Sequence, residues 1–302
     1  MTPATNYIVF QCYGNESVFQ ECAYALLSLS RVYEGGGPAG LEVWIYTDNA
    51  AWFQGFRDCP LPLHYRKIEQ PTLKTWRGQI DFVHRVKIEA LRDFARYRTG
   101  NILYADTDVV FTSPIEPVMT AIAAGKQYMH VMEGKINDEG NPVLKKLNHH
   151  LKADRLKHTN GVLLNEFAMW NAGVLGFNTR FAGELDKILA FTDKMYPQFQ
   201  KHVVEQFAFS VFFQAAGKVK TAAPYLIHYW NLKDVRPLLA EFFKRFKAKP
   251  WKELVLLSAL IQMPVLMQEK AGFYQNRSIA DKLLKKKWAP KMPDWDEGIE
   301  QI

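Results

Sequence analysis

The sequence lacks the features that mark disulfide-rich, zinc-binding and repeat proteins. It contains three cysteines in 302 residues, Cys12, Cys22 and Cys59, and their spacing matches neither a disulfide framework nor a zinc site. Cys12 and Cys22 lie on strand-like and helix-like apolar patterns, so we expect buried free thiols and a reducing compartment. Internal repeats and low-complexity stretches are also missing, which leaves an ordinary globular chain.

Long hydrophobic runs are missing too. The first residues lead directly into a strand-like segment without a basic leader or a long apolar stretch, so a secretory signal is not expected. The most apolar window, Leu254 to Met267, is interrupted by Gln262 and Pro264 and is too short to span a bilayer. We therefore expect a soluble or peripheral protein in the cytoplasm.

Positive and negative charges nearly balance over residues 1–232, which carry 24 basic and 22 acidic side chains. The net charge of +7 comes instead from residues 233–291, where 14 basic side chains stand against five acidic ones. A basic segment is attracted to anionic surfaces. Nucleic acid is not the expected partner, because the body is nearly neutral and carries no recognition motif.

The length, with 48% hydrophobic and 14% aromatic residues, suits one large domain with an appendage. Strand-like and helix-like patterns alternate up to residue 228, which is typical of an α/β protein with a mostly parallel sheet flanked by helices. In the predicted helix 81–97, Val83 and Val86 point inward, whereas Arg85 and Lys87 do not. The predicted strands are residues 7–12, 42–46, 64–68, 102–104, 109–111, 127–132, 170–178, 218–222 and 225–228.

Two carboxylates follow a buried strand in the segment Ile102-Leu-Tyr-Ala-Asp106-Thr-Asp108. In open α/β sheets, ligands bind at the carboxyl ends of the strands, which is where this pair lies. Asp106 and Asp108 could coordinate a divalent cation and leave its other positions open for diphosphate oxygens. Turns are also rich in aspartate, so this interpretation depends on other segments that agree with it.

Three later segments carry polar side chains that suit such a site. Trp170-Asn171-Ala-Gly-Val-Leu-Gly-Phe-Asn178 is strand-like, with an asparagine near each end. Glu205 and Gln206 lie early in a predicted helix over residues 201–214, and His228 ends the last predicted strand. The amide groups of Asn171 and Gln206 suit sugar hydroxyls, and a neutral imidazole can complete the ligand shell of a metal.

Together these segments resemble the nucleotide-diphospho-sugar glycosyltransferases of the GT-A fold, over residues 7–230. The pattern is similar to that of the retaining family that includes glycogenin and the bacterial lipooligosaccharide galactosyltransferases. The resemblance implies a Rossmann-like GT-A sheet and an enzyme of the hexosyltransferase type. Such an enzyme moves a sugar from a nucleotide-diphospho-sugar donor, with uridine as the base, to a hydroxyl of a glycan or glycolipid acceptor, with retention of configuration.

The resemblance also implies which residues form the site. Asp106, Asp108 and His228 would hold Mn²⁺ or Mg²⁺, and a mixed set of oxygen and imidazole ligands favours Mn²⁺. Three polar residues would position the donor sugar and take part in catalysis: Asn171, Glu205 and Gln206. Five residues would bind the nucleoside and the phosphates of the donor: Tyr13, Thr47, Asp48, Arg85 and Lys233.

We expect a GT-A catalytic domain over residues 1–232, in which the irregular segment 133–169 is an insertion that shapes the acceptor site. Residues 233–302 are expected to form a basic, largely helical extension that either packs on this domain or contacts the inner face of a membrane. Two other functions stay open: a non-catalytic GT-A-shaped module that binds nucleotide sugar or glycan, and a sugar nucleotidyltransferase. The second typically has a Gly-rich, basic loop after its first strand, whereas the segment 11–16 has one glycine and no basic residue.

Overall fold

The computed structural model describes residues 5–56, 58–137, 140–153, 161–278, 281 and 284–295. Parts of the predicted insertion 133–169 and of the predicted extension 233–302 lie outside these residues. Within the described ranges the strands form one seven-stranded sheet and two separate pairs. The strands are β1 (Thr5–Cys12), β2 (Leu41–Thr47), β3 (Leu63–Lys67), β4 (Gly100–Ala105), β5 (Val109–Phe111), β6 (Tyr128–Met129), β7 (Met132–Lys135), β8 (Ala168–Trp170), β9 (Val174–Asn178), β10 (Lys220–Thr221) and β11 (Leu226–His228).

Helices connect most of these strands, and short 3-10 turns lie at residues 50–56, 164–166, 179–181, 233–235 and 258–260. The helices of the described residues are α1 (Glu16–Val32), α2 (Gln70–Arg77), α3 (Arg85–Tyr97), α4 (Glu116–Ala123), α5 (Pro142–Ala153), α6 (Ala182–Met195), α7 (Val203–Ala216), α8 (Arg236–Phe246), α9 (Trp251–Leu257) and α10 (Met263–Gln275).

Both faces of the large sheet are covered, as is usual for parallel strands. Its order is β10-β6-β9-β4-β1-β2-β3, and β9 runs antiparallel to both of its neighbours. Side chains alternate along β1, so that Ile8 and Phe10 enter one apolar core and Tyr7 and Val9 enter the other. The first core contains α1, α8 and α9, and the second contains α3, α6 and α7. The predicted mostly parallel α/β sheet flanked by helices is confirmed.

The antiparallel pair β5 and β11 brings the late histidine to the aspartates. His228 pairs with Val109, the residue that follows Asp108. The backbone N–H of Tyr229 donates to the carbonyl of Asp108 at 2.9 Å. Backbone pairing therefore fixes Asp108 and His228 as neighbours, although they lie 120 positions apart in the sequence.

The predicted strand 170–178 is interrupted, which corrects the sequence-based boundary. β8 ends at Trp170 and pairs with β7, whereas β9 begins at Val174 and lies in the large sheet. Asn171 to Gly173 form the crossing between the two sheets. The carbonyl of Gly173 accepts a hydrogen bond from the N–H of Asp106 at 2.8 Å, so the crossing lies directly beside the aspartates.

Residues 251–275 contain the window that the sequence analysis gives as too short for a membrane span, but by length and composition alone they are long and apolar enough to cross one. In the structure they form α9, a 3-10 turn and α10. Trp251 is buried and its indole N–H donates to the hydroxyl of Ser30 at 3.1 Å. The hydroxyl of Tyr24 donates to the carbonyl of Ile261 at 2.5 Å. This segment therefore packs on α1 and extends the first apolar core.

Candidate metal and substrate site

A cavity of about 580 Å³ opens at the carboxyl end of β4. Its walls come from α3, the β4–β5 connection, the crossing 171–173, the first turn of α7 and the end of β11. The fold brings together six of the predicted site residues on these walls: Asp106, Asp108, Asn171, Glu205, Gln206 and His228.

Asp106, Asp108 and His228 converge at one wall of the cavity. Nε2 of His228 lies 3.2 Å from Oδ1 of Asp108 and 3.8 Å from Oδ2 of Asp106. The three potential ligand atoms all lie within 4.8 Å of one another. Two carboxylates and one imidazole form a donor set that suits Mn²⁺ or Mg²⁺, so the residues present fit a divalent ion.

Asn171 fixes which ring nitrogen of His228 faces the carboxylates. Oδ1 of Asn171 accepts a hydrogen bond from the N–H of Gly173 at 3.0 Å and lies 2.8 Å from Nδ1 of His228. An amide oxygen only accepts hydrogen bonds, so Nδ1 must carry the proton. When Nε2 is unprotonated it holds a free lone pair, as a metal ligand requires. When Nε2 carries a proton, it can donate that proton to Oδ1 of Asp108, which lies 3.2 Å away.

Gly173 packs against the imidazole more closely than any other residue type could. A Cβ at this position would lie 2.1 Å from Nδ1 and Cε1 of His228. The backbone of the crossing therefore forms one side of the pocket that holds the ring in place.

Lys233 lies behind Asp108 and is not among the residues that line the cavity. Its Nζ is 2.6 Å from Oδ2 of Asp108 and 3.2 Å from Oε1 of Glu21, which also pairs with Arg236 at 3.0 Å. Burial opposes the charge on Asp108, but hydrogen bonds and charges from His228 and Lys233 outweigh it and lower the pKa of this carboxyl. Asp108 is therefore ionised at neutral pH.

The cation that lines the cavity is Lys87, which the sequence pattern places away from the inward face of its helix. Lys87 is 6% exposed, and its Nζ donates to the carbonyl of Ala172 at 2.9 Å. It lies 3.3 Å from Asp106 and 3.4 Å from Glu205. Burial opposes its charge, yet the two carboxylates raise its pKa above the ordinary value. A fixed positive charge therefore lies beside the aspartates.

Arg85 does not line the cavity, and its predicted role at the phosphates stays a prediction. Its guanidinium makes two hydrogen bonds to Asp193 on α6, at 2.7 and 3.1 Å. It also donates to Glu89 at 2.9 Å and to the carbonyl of Trp76 at 2.7 Å. These contacts hold α3 against its neighbours. Val83, predicted inward, is 48% exposed because the helix begins only at Arg85.

Glu205 lies in the first turn of α7 and is 2% exposed. Burial raises the pKa of its carboxyl to about 7, although the charge of Lys87 opposes this rise and that of Asp106 adds to it. Its Oε1 lies 3.4 Å from Nζ of Lys87, and within the described residues it accepts no hydrogen bond of good geometry. The carboxyl can therefore gain or lose a proton near neutral pH in response to a bound molecule.

We expect Glu205 to make the unfolding free energy of the protein depend on pH. Between its unfolded pKa near 4.5 and its folded pKa of about 7, the folded state keeps a proton that the unfolded chain releases. The contribution of Glu205 to the unfolding free energy is therefore lost as the pH rises from about 4.5 to about 7. Urea unfolding of the wild type and Glu205→Gln at pH 5, 6, 7 and 8 should show the variant gaining relative stability with pH. If the difference in unfolding free energy between the wild type and Glu205→Gln did not change with pH, the raised pKa of Glu205 would be contradicted.

Glu133 joins Asn171 and Gln206 in one network on the cavity wall. Nδ2 of Asn171 donates to Oε1 of Glu133 at 2.9 Å, and Nε2 of Gln206 donates to Oε2 at 2.7 Å. Oε1 of Gln206 accepts from the N–H of Ala172 at 3.3 Å. The sequence analysis did not find Glu133, because its place depends on the pairing of β7 with β8. Both amides are thus oriented by a carboxylate that itself lines the cavity.

The predicted nucleoside-binding residues lie at the carboxyl ends of β1 and β2. Oδ2 of Asp48 accepts a hydrogen bond from the N–H of Gly14 at 3.1 Å, and the hydroxyl of Tyr13 accepts from Nε2 of Gln11 at 3.0 Å. Thr47 is completely buried, and its hydroxyl accepts from the N–H of Asn49 at 3.1 Å. In the structure this side chain closes the turn after β2, and the predicted role of Thr47 at the nucleoside stays a prediction.

No protein-family model and no curated protein matches the chain. Several solved structures do, and each is a glycosyltransferase by its description. The glycosyltransferase GlyE of Streptococcus pneumoniae is 14% identical, with a TM-score of 0.49 over 90% of this chain. The chain spans 64% of the length of GlyE.

Two further structures show the same degree of similarity. The galactosyltransferase LgtC, with donor and acceptor sugar analogues bound, is 14% identical over 68% of this chain and 70% of its own, with a TM-score of 0.45. Mouse xyloside xylosyltransferase 1 is 10% identical over 72% of this chain and 85% of its own, with a TM-score of 0.49. Because these values are low, we base the function on the side chains of this chain.

Proposed function

We propose that this protein is a metal-dependent glycosyltransferase. It would move a sugar from a nucleotide-diphospho-sugar donor, with uridine diphosphate as the leaving group, to a hydroxyl of a glycan or glycolipid. The observation that carries the proposal is the convergence of Asp106, Asp108 and Nε2 of His228 on the wall of a cavity large enough for a small ligand.

The charged groups of the site suit a diphosphate. A divalent ion held by Asp106, Asp108 and His228 would neutralise the negative charge that develops on the leaving diphosphate, and the imidazole favours Mn²⁺ over Mg²⁺. Lys87 adds a positive charge inside the cavity, and Lys233 adds one beside Asp108. Lys87 lines the cavity, so its ammonium group could bind a phosphate oxygen directly. Lys233 lies behind Asp108 and would act through that carboxylate.

The uncharged and carboxyl groups suit the donor sugar. Gln206 and Glu205 line the cavity, and a hydroxyl of the sugar could donate a hydrogen bond to the carboxylate of Glu205, whose Oε1 is otherwise contacted only by Lys87 within the described residues. Asn171 would act mainly through His228, because its amide oxygen already accepts two hydrogen bonds. Tyr13 and Asp48 are proposed to hold the nucleoside at the ends of β1 and β2. Retention of configuration is proposed from the resemblance alone.

Further residues of the chain support proposals for the acceptor and for the place of the reaction. Segments of the region 133–169 line the cavity through Asn141 and Val143, which supports a role for this region at the acceptor. We place the enzyme in the cytoplasm. The basic residues of 233–291, together with exposed Leu284 and Met292, support peripheral contact with an anionic membrane as a location for glycolipid transfer.

A panel of nucleotide sugars tests the proposal. Release of the nucleotide diphosphate is measured with Mn²⁺, with Mg²⁺ and with a chelator, and the anomer of the product is read by NMR. We expect one uridine diphosphate sugar to turn over and the chelator to stop the release. Calorimetric titration of the same donors separates a non-catalytic binding module, for which metal-dependent binding would occur without turnover on any donor. Turnover that persists in the chelator would contradict the proposed metal.

A further inference from the structure

One tryptophan of the chain is exposed, and it borders the candidate site. Trp230 is 55% exposed, whereas the other seven tryptophans, all within the described residues, are buried or half-buried. It lies two positions after His228 and lines the same cavity. Aromatic side chains are common in the lining of ligand cavities, so the position of Trp230 suits contact with a ligand.

The backbone on each side of Trp230 is held firmly. Tyr229 is fully buried, and its N–H donates to the carbonyl of Asp108 at 2.9 Å. Leu232 is 1% exposed, and its N–H donates to the carbonyl of Tyr229 at 2.8 Å. These anchors close a turn that presents the indole outward. Within the described part of the chain the indole has no hydrogen bond and no aromatic or cationic partner.

We propose that Trp230 is the platform on which a sugar ring of the acceptor stacks, so that the acceptor is a pyranoside. This inference rests on the proposed function. One face of a pyranose consists of C–H groups, which complement the negative face of an indole. A ring held on a rigid turn loses little conformational freedom when a ligand covers it.

The location of Trp230 in the cavity indicates that the sugar stacked on it belongs to the acceptor and not to the donor. The donor must place its diphosphate at the metal-binding residues and its sugar at buried groups such as Glu205. The acceptor must arrive from solvent, and Trp230 lies on the exposed part of the lining. Glu133, also exposed on this lining, offers a carboxylate to an acceptor hydroxyl. An aromatic face and a carboxylate on the lining of one cavity can together bind a sugar.

Binding of simple pyranosides tests the platform. Dissociation constants of methyl β-D-galactopyranoside and methyl β-D-glucopyranoside are measured by NMR titration with Mg²⁺ and uridine diphosphate present. The proteins are the wild type, Trp230→Ala, Trp230→Tyr and the control Tyr97→Ala, which removes another exposed ring that is not part of the cavity. We expect Trp230→Ala to weaken binding about tenfold, whereas Trp230→Tyr stays within about threefold. Tyr97→Ala should match the wild type.

Donor hydrolysis, followed as metal-dependent release of the nucleotide diphosphate, separates this inference from the proposed function. Unchanged hydrolysis in Trp230→Ala together with weaker pyranoside binding would support the platform. The inference would be overturned if Trp230→Ala bound the pyranosides as the wild type does, if the KM of the donor rose instead, or if no pyranoside bound the wild type. Failure of the proposed function would appear differently, as absence of release from the wild type on every donor.

Discussion

Replacement of Gly173 by alanine should reduce both the stability of the protein and its affinity for metal, although it adds a single methyl group. The new Cβ would lie 2.1 Å from Nδ1 and Cε1 of His228. The imidazole cannot retreat easily, because it is 7% exposed and held by Asn171 and Asp108. Overpacking of this kind typically costs about 1–3 kcal/mol. Displacement of the ring should lower the affinity for Mn²⁺ by about 10- to 100-fold.

Urea unfolding and calorimetric titration with Mn²⁺ measure the two effects. Gly183→Ala is the matched control, since no atom lies within 4 Å of its added Cβ. It lies in α6, so we expect unchanged metal affinity and a gain of about 0.5–1 kcal/mol in stability. If Gly173 acts through the histidine, Gly173→Ala should not lower metal affinity further in a His228→Ala background. If Gly173→Ala bound Mn²⁺ as tightly as the wild type does, Gly173 would not hold the imidazole of His228 in place.

The metal-binding residues could be predicted from the sequence because each one lies at the end of a strand. Apolar runs mark the strands, and the carboxyl ends of parallel strands meet at one edge of a sheet. Asp106 and Asp108 follow β4, and His228 ends β11. His228 is distant from the aspartates in sequence, and its antiparallel pairing with Val109 brings it next to them.

Lys87 and Glu133 could not be predicted, because tertiary partners determine where they lie. A lysine on a helix is normally solvated, but Lys87 is buried against Asp106, Glu205 and the carbonyl of Ala172. These partners are distant in sequence and leave no periodic signal. Glu133 depends in the same way on the pairing of β7 with β8.

Arg85 and Thr47 illustrate what a sequence does not reveal about a predicted binding residue. The resemblance implies that both residues bind the donor, but it does not show which of their polar atoms other parts of the fold already bind. In the structure, the guanidinium of Arg85 is bound to Asp193 and Glu89, and the hydroxyl of Thr47 is bound to the backbone of Asn49. A polar side chain near a site is available to a ligand only when the fold leaves its donors or acceptors unpaired, and this is visible only in the structure.

Replacement of Asp108 by asparagine should remove nearly all turnover while keeping the shape of the side chain. The variant loses the negative charge that faces both His228 and Lys233. Stabilisation of a developing charge by a bound metal is worth several kcal/mol. Because each 1.36 kcal/mol changes a rate tenfold, we expect kcat for nucleotide diphosphate release to fall about a thousandfold.

Asp186→Asn is the control for loss of a carboxylate, since Asp186 pairs with Arg92 outside the cavity and its side chain is 66% exposed. It should keep full turnover and change the unfolding free energy by less than about 1 kcal/mol. Asp108 also pairs with Lys233, so its charge could act as a metal ligand or as a structural ion-pair partner. Turnover, Mn²⁺ affinity and urea unfolding are measured on each variant to separate these two roles. A stable Asp108→Asn protein without metal affinity or turnover would identify the carboxylate as a ligand. A destabilised variant with wild-type turnover and metal dependence would instead limit Asp108 to a structural ion pair and remove the metal site from this position.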